Sequence, residues 1–211
     1  MKKQLFSILY MFIITLFFTS VVSGVKLLNQ ERIDRNQDIK LQKIILQVLD
    51  IQKDQLSEEQ LETIYSNRVK AVSIDNRAIH IGYEADSRTI SGYAFPVNGS
   101  GFWGPIHGMA AVDPDGASIK GMAFYKHTET PGLGARITEE WFTSQFIGLP
   151  MYQDKDTNKI FYLKPEGTGA KINELDAITG ATGTSRAVEI FLNNELNYFR
   201  DKIWETIKEK S

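Results

Sequence analysis

From Gln4 to Val25 the chain has no charged residue, and the run LFSILYMFIITLFFTSVVSGV is almost wholly apolar. About twenty residues rising ~1.5 Å each span a hydrocarbon core of ~30 Å. The competing reading is a signal peptide, with Lys2 and Lys3 as its n-region and Val21-Val22-Ser23 as a tolerable cleavage site. A signal h-region is usually about 7–15 residues, and this run is longer. Residues 1–25 are therefore expected to be an uncleaved transmembrane anchor. Which side the rest of the chain occupies is less constrained. Lys26, Arg32, Arg35 and Lys40 follow the run, so counting Lys and Arg alone leans towards an inside C-terminal part. Composition leaves the side undecided.

Behind the anchor, a chain of 211 residues leaves one domain large enough for a real core. A net charge of −2 gives no basic face to neutralise phosphates, which argues against nucleic acid as a partner. Cysteine is absent, which excludes disulfides, a thiol nucleophile and cysteine-ligated iron–sulfur or zinc sites. Redox chemistry in this chain needs a cofactor held by other groups. The histidines, His80, His107 and His127, are well separated and lack any HExxH-type spacing, so no metal site is expected.

Residues 26–66 read as a helical stalk and entry helix. Ile39, Ile44, Leu46, Leu49 and Ile51 supply the apolar positions, and Ser57-Glu58-Glu59-Gln60 resembles a capping box ahead of Leu61. Residues 67–211 read as the domain. Short β-type runs (KAVSID, RAIHIGYEA, TISGYAFPV, GMAAVD, SIKGMAFYK, KIFYLK) are separated by turn signals such as Asp75-Asn76 and Asp113-Pro114-Asp115-Gly116. A helix around Glu139–Phe146 interrupts them, and a last helix is expected from near Ser185. There Val188, Phe191, Leu192, Phe199, Ile203 and Ile207 keep a 3.6-residue repeat. The fold class is α+β: an antiparallel sheet packed with helices, preceded by one transmembrane helix and a helical stalk.

Three segments could carry chemistry. Gly99-Ser100-Gly101-Phe102-Trp103-Gly104 matches GxGxxG, but a dinucleotide fingerprint needs a helix to open after the glycines, and Pro105-Ile106-His107-Gly108 follows instead. Its glycines are better read as letting the backbone turn, or approach a flat ligand. Glu129-Thr130-Pro131-Gly132-Leu133-Gly134 is either a surface turn, since Pro-Gly suits type II, or a ligand loop offering amides and the Thr130 hydroxyl. Asp176-Ala177-Ile178-Thr179-Gly180-Ala181-Thr182-Gly183-Thr184-Ser185 leads into the last helix, whose N-terminus favours an anion. Capping by Thr184 or Ser185 accounts for one hydroxyl but not for several behind an aspartate.

The last two segments resemble one known family. DAITGAT, Asp176 to Thr182, is similar to the D-x-x-[S/T]-G-A-T flavinylation motif of the FMN-binding domain, and ETPGLG, Glu129 to Gly134, to that family's other signature. The domain occurs in one component of the Na⁺-translocating NADH:quinone reductase and in one component of the Rnf ferredoxin:NAD⁺ complex. The resemblance covers about residues 90–200. It implies one FMN joined through its phosphate to the Thr182 hydroxyl by a separate Mg²⁺-dependent flavin transferase acting on FAD. Asp176, Thr179, Gly180 and Ala181 would be recognition residues around the attachment point. The Glu129, Thr130, Gly132, Leu133 and Gly134 loop would lie against the flavin, with Thr130 and Leu133 as contacts. Members from the quinone reductase carry a Gly-x-Trp segment similar to Gly101-Phe102-Trp103, which would place Trp103 near the flavin, although a buried core Trp accounts for it equally well.

The resemblance also implies an electron-transfer subunit that works with the other membrane subunits of a redox pump and has no substrate pocket of its own. Its anchor would sit in the cytoplasmic membrane and its domain on the extracytoplasmic face, because folded domains translocate despite flanking charge. GFWGPIHGMAAVDPDG leans towards the quinone-reductase component, while the chain length is nearer that of the Rnf component. A stand-alone flavinylated carrier, or a module that holds FMN or another anion without redox work, are the alternatives. A hydrolase finds no support, since no G-x-S-x-G elbow is present.

Overall fold

The computed structural model describes residues 2–51, 56–152 and 158–210. Met1, 52–55, 153–157 and Ser211, which the sequence assigns to the expected anchor, stalk and domain, lie outside the described residues. The chain divides into two compact units, residues 1–41 and 42–211.

In the first unit, α1 (Lys2–Leu28) contains the apolar run. Gln4–Leu28 is, among the described residues, the one helix long and apolar enough to cross a membrane. Thr15 and Ser20 donate their hydroxyls to the carbonyls of Met11 and Leu16, 2.8 and 2.7 Å away, so both are satisfied within the helix. The helical segment expected over residues 26–66 occurs in pieces. After α1 come α2 (Gln30–Val48) and α3 (Glu58–Arg68). Asp50 takes a left-handed φ of 55° just beyond α2. Ser57 starts α3 with the expected box: its hydroxyl accepts from Gln60 N–H, and the Gln60 side chain accepts from Ser57 N–H.

The second unit is built on a meander of β1 (Val69–Ile74), β2 (Arg77–Tyr83), β3 (Ile90–Ser100), β4 (Pro105–Val112) and β5 (Ile119–Lys126), antiparallel throughout and in sequence order. Asp75 and Asn76 turn β1 into β2 with positive φ at both positions, as a two-residue hairpin requires. The register places Phe95 opposite Ala110, and Ala110 opposite Met122. Because side chains alternate across a strand, Tyr93, Phe95, Val97, Met122 and Phe124 form one apolar face. Residues 42–49, the end of α2 and the residue after it, bury Ile44, Ile45, Leu46, Val48 and Leu49 within the same unit.

Beyond β5 lie a loop, a 3₁₀ turn (Gly134–Thr138), α4 (Glu140–Thr143) and a second 3₁₀ turn (Ser144–Phe146), which together occupy the place of the helix expected around Glu139–Phe146. β6 (Tyr162–Lys164) and β7 (Glu174–Asp176) follow as a separate two-stranded parallel pair. KIFYLK thus contributes only its last three residues to a strand, and that strand does not join the meander. α5 (Thr182–Tyr198), a π-helical turn (Phe199–Trp204) and α6 (Glu205–Lys210) finish the chain. Phe199 stacks on Phe95 with ring centres 3.8 Å apart, and Phe191 meets Phe124 edge to face, so the terminal helix closes the apolar face. The mixed α+β class with its antiparallel sheet is as expected.

Candidate functional site

Three loops meet at the N-terminal end of α5. The first is the tip of the β3–β4 hairpin, closed by a 2.7 Å bond from Gly101 N–H to Gly104 O. The GxGxxG match lies in this hairpin, with Gly99 paired to Ile106, and no helix opens from it. The tip carries Phe102 and Trp103 as an edge-to-face pair with centres 5.1 Å apart. They are 59% and 67% exposed, so Trp103 is not a core residue.

The second loop links β5 to the 3₁₀ turn. Leu133 N–H bonds to Thr130 O at 3.2 Å across Pro131-Gly132, and Gly132 has φ 73°, so the Pro-Gly turn forms as its residues suggest. Thr130 and Leu133 point outward. Glu129 does the opposite and is only 4% exposed.

The third loop runs from β7 to α5. Ala181 N–H closes a turn onto Ile178 O at 3.0 Å, with Gly180 at φ 79°. Asp176 and Thr179 brace this loop against the neighbouring turn. Asp176 Oδ1 accepts from Gly167 N–H at 2.8 Å, and the Thr179 hydroxyl donates to Glu166 Oε2 at 2.8 Å. The Gln145 side chain bonds the main chain of Asp176 in both directions, at 2.7 and 3.3 Å.

α5 begins at Thr182, three residues before the expected start near Ser185. Neither Thr184 nor Ser185 caps it. The N-cap is Ala181, with no side-chain cap. Both hydroxyls lie inside the helix and are buried and engaged: Thr184 donates to Glu129 Oε2 at 2.5 Å, and Ser185 Oγ accepts from Ile178 N–H at 3.0 Å. Thr182 is exposed.

The loops interlock through small residues and Glu129. A Cβ on Gly183 would stand 2.5 Å from the Phe102 ring, and one on Gly134 only 2.4 Å from Thr184 Oγ1. Leu133 lies over Gly180. Glu129 Oε1 accepts from Trp103 N–H at 3.0 Å, so one carboxylate touches both the hairpin tip and α5. Of the residues singled out from sequence, Trp103, Glu129, Leu133, Gly134, Gly180, Ala181 and Thr182 gather here. Thr130 and Gly132 shape the turn beside them, while Asp176 and Thr179 support the third loop from its far side. Sequence reasoning missed Phe102, Gly183 and Thr184 as members. Phe102 stood inside the quoted Gly-x-Trp segment and Thr184 was read only as a cap, so the one available signal was proximity to the motifs.

Chemically, the place offers an exposed hydroxyl, that of Thr182, at a helix start. The amides of Thr182, Gly183 and Thr184 precede Ser185 N–H, the first to bond within the helix (to Ala181 O), and the dipole there favours negative charge. Arg186, one turn on and exposed, stands four residues after Thr182 and so shares its face of the helix. Phe102, Trp103 and Leu133 add an exposed apolar rim. A flat aromatic group carrying a phosphate fits this combination.

Residues 101–197 match the FMN-binding domain family. The NqrC component of the Na⁺-translocating NADH-quinone reductase from Yersinia pestis is 32% identical over 108 residues, which is 51% of this chain and 41% of that protein. Its counterpart from Chlamydia pneumoniae is 35% identical over 118 residues, 49% of this chain and 37% of that one. The chain spans about two-fifths of the length of these relatives. Among solved structures, NqrC from Parabacteroides distasonis superposes with a TM-score of 0.68 at 25% identity, covering 81% of this chain and 94% of that chain. NqrC from Shewanella oneidensis gives 0.67 at 23% identity, covering 76% and 93%, and shows the fold.

Proposed function

We propose, from the premise that residues 101–197 belong to the FMN-binding domain family, that the chain is an NqrC-type electron carrier of a Na⁺-translocating NADH:quinone reductase, with one FMN held covalently at Thr182. The observation that carries the attachment point is selective exposure. Of the three hydroxyls at the start of α5, Thr182 alone is exposed, while Thr184 and Ser185 are buried and hydrogen-bonded.

A flavin transferase using FAD and Mg²⁺ joins the Thr182 oxygen to the FMN phosphorus as AMP departs and the hydroxyl proton is lost. The product is a phosphodiester that keeps one negative charge. The first amides of α5 and Arg186 stabilise that charge. Phe102, Trp103 and Leu133 seat the ring system and limit water at one side, and the Glu129–Gly134 loop fixes Leu133 against Gly180. Bound there, FMN supplies electron transfer between neighbouring carriers, and the surrounding residues set its exposure and potential. α1 anchors the chain in the cytoplasmic membrane, and the domain works on the extracytoplasmic face beside the other subunits of the pump. A covalent link suits that location, where lost FMN is not readily replaced.

The relatives described above carry the name of the quinone-reductase component, which favours that complex over the Rnf complex. Intact mass of the chain co-expressed with a flavin transferase, followed by peptide mapping, is the test. A gain of one FMN less water on the peptide containing Thr182 is expected. No gain, with the transferase active on a control substrate, rejects the covalent carrier. Flavin that is released on denaturation would instead indicate a non-covalent FMN module.

A further inference from the structure

Glu129 is the most deeply buried carboxylate in contact with the site, and among the described residues no lysine or arginine pairs with it. A buried charge is costly unless hydrogen bonds compensate it. Here Trp103 N–H serves one oxygen and the Thr184 hydroxyl the other. These donors lie 26 and 55 residues away in sequence, on different loops. Gly134 keeps the path open, since a Cβ there would meet both Thr184 Oγ1 and Glu129 Oε2. The Glu129 main-chain N–H donates to His127 Nδ1 at 3.2 Å, which holds its own loop from behind.

Resting on the flavin reading above, we propose that Glu129 is a positioning residue. Its buried carboxylate latches the Phe102–Trp103 tip to the first turn of α5 and so sets the aromatic rim beside Thr182. It acts on the flavin through Trp103 and Phe102 and does not contact it. Both bonds are charge-assisted, which makes them the strongest ties between the three loops. Beside them, Phe102 lies against Gly183 and the backbone of Gly99, further down the hairpin, against Phe191. The latch also occupies the Thr184 hydroxyl, which leaves Thr182 as the accessible one.

The test uses the full chain in detergent micelles and two readouts. Hydrogen–deuterium exchange of a peptide spanning Trp103, measured before flavin loading, reports the latch itself. Iodide quenching of flavin emission, measured after loading, reports the rim. Glu129→Ala is expected to raise exchange at Trp103 roughly tenfold, the equivalent of one lost charged hydrogen bond. It should also increase quenching, with flavin still attached at Thr182. Glu129→Gln keeps an acceptor for Trp103 N–H and a polar partner for Thr184, so it should return exchange to within about threefold of wild type. A folded Glu129→Ala protein with wild-type exchange and quenching overturns the proposal, as does a Gln variant indistinguishable from Ala. Should Glu129→Ala fail to fold, Thr184→Val removes one donor at nearly constant shape and is read by the same two outcomes. A wild-type chain that takes up no flavin rejects the carrier reading, while exchange at Trp103 still decides the latch.

Discussion

Replacing Thr182 with alanine separates attachment from stability more cleanly than any other change in this chain. Thr182 is the first residue of α5 and is exposed, and among the described residues its hydroxyl has no hydrogen bond. Its loss should change stability by no more than about 0.5 kcal/mol. For a domain of this size, that is a shift of about 1–2 °C in Tm. Thr184, two residues on, gives the opposite expectation. Its hydroxyl serves the buried Glu129 carboxylate, and Thr184→Val leaves that oxygen without a donor, at a cost of about 1.5–3 kcal/mol. The corresponding fall in Tm is roughly 3–12 °C. Both variants would be melted by far-UV circular dichroism without the transferase, so that bound flavin does not contribute. Each would then be co-expressed with the transferase and examined for flavin fluorescence in a denaturing gel. Thr182→Ala should be dark and stable, Thr184→Val fluorescent and less stable. Fluorescence retained in Thr182→Ala refutes the assignment of the attachment point. A dark Thr184→Val protein with an unchanged Tm refutes the argument from burial.

Gly134→Val places a side chain where Thr184 Oγ1 stands, so it should weaken flavin seating, seen as altered emission and potential, without preventing attachment; unchanged spectra would remove the second loop from the site. His80 is 8% exposed, has Tyr65 OH 3.2 Å from Nδ1, and is held by burial below its usual value of 6.5. Above that pH it is neutral whether folded or unfolded and contributes no slope. Below it the unfolded chain takes the proton first, so stability should fall with pH until the folded pKa is reached. His80→Gln should therefore lose less stability than wild type between about pH 7.5 and 5.5 in urea melts, and equal losses would contradict the sign. Phe199→Ala removes the ring stacked on Phe95 and should cost about 3–5 kcal/mol by the same melts, with a cost below about 1 kcal/mol showing that the stack is dispensable.

Local chemistry was legible wherever a short stretch dictates its own backbone. The apolar run, the Ser57–Gln60 box, the Asp75-Asn76 hairpin and the Pro131-Gly132 turn all depend on neighbours a few residues apart. Strand alternation likewise foretold an antiparallel sheet closed by an amphipathic terminal helix. The start of that helix was misjudged because Thr184 and Ser185 look like caps, the simplest local use of a hydroxyl. Their partners, Glu129 and Ile178, satisfy them inside the helix instead, and the Glu129 contact spans 55 residues.

What the sequence determined by itself was therefore periodicity, turns and the two motif segments, since those are encoded in near-neighbour sterics and hydrogen bonding. Tertiary structure alone decided that β6 pairs with β7 in parallel, that Phe102 lies against Gly183, and that Glu129 faces inward. Each of these is a contact between segments far apart in the chain. Its energy depends on whether burial of one group is compensated by a partner that only packing brings within reach.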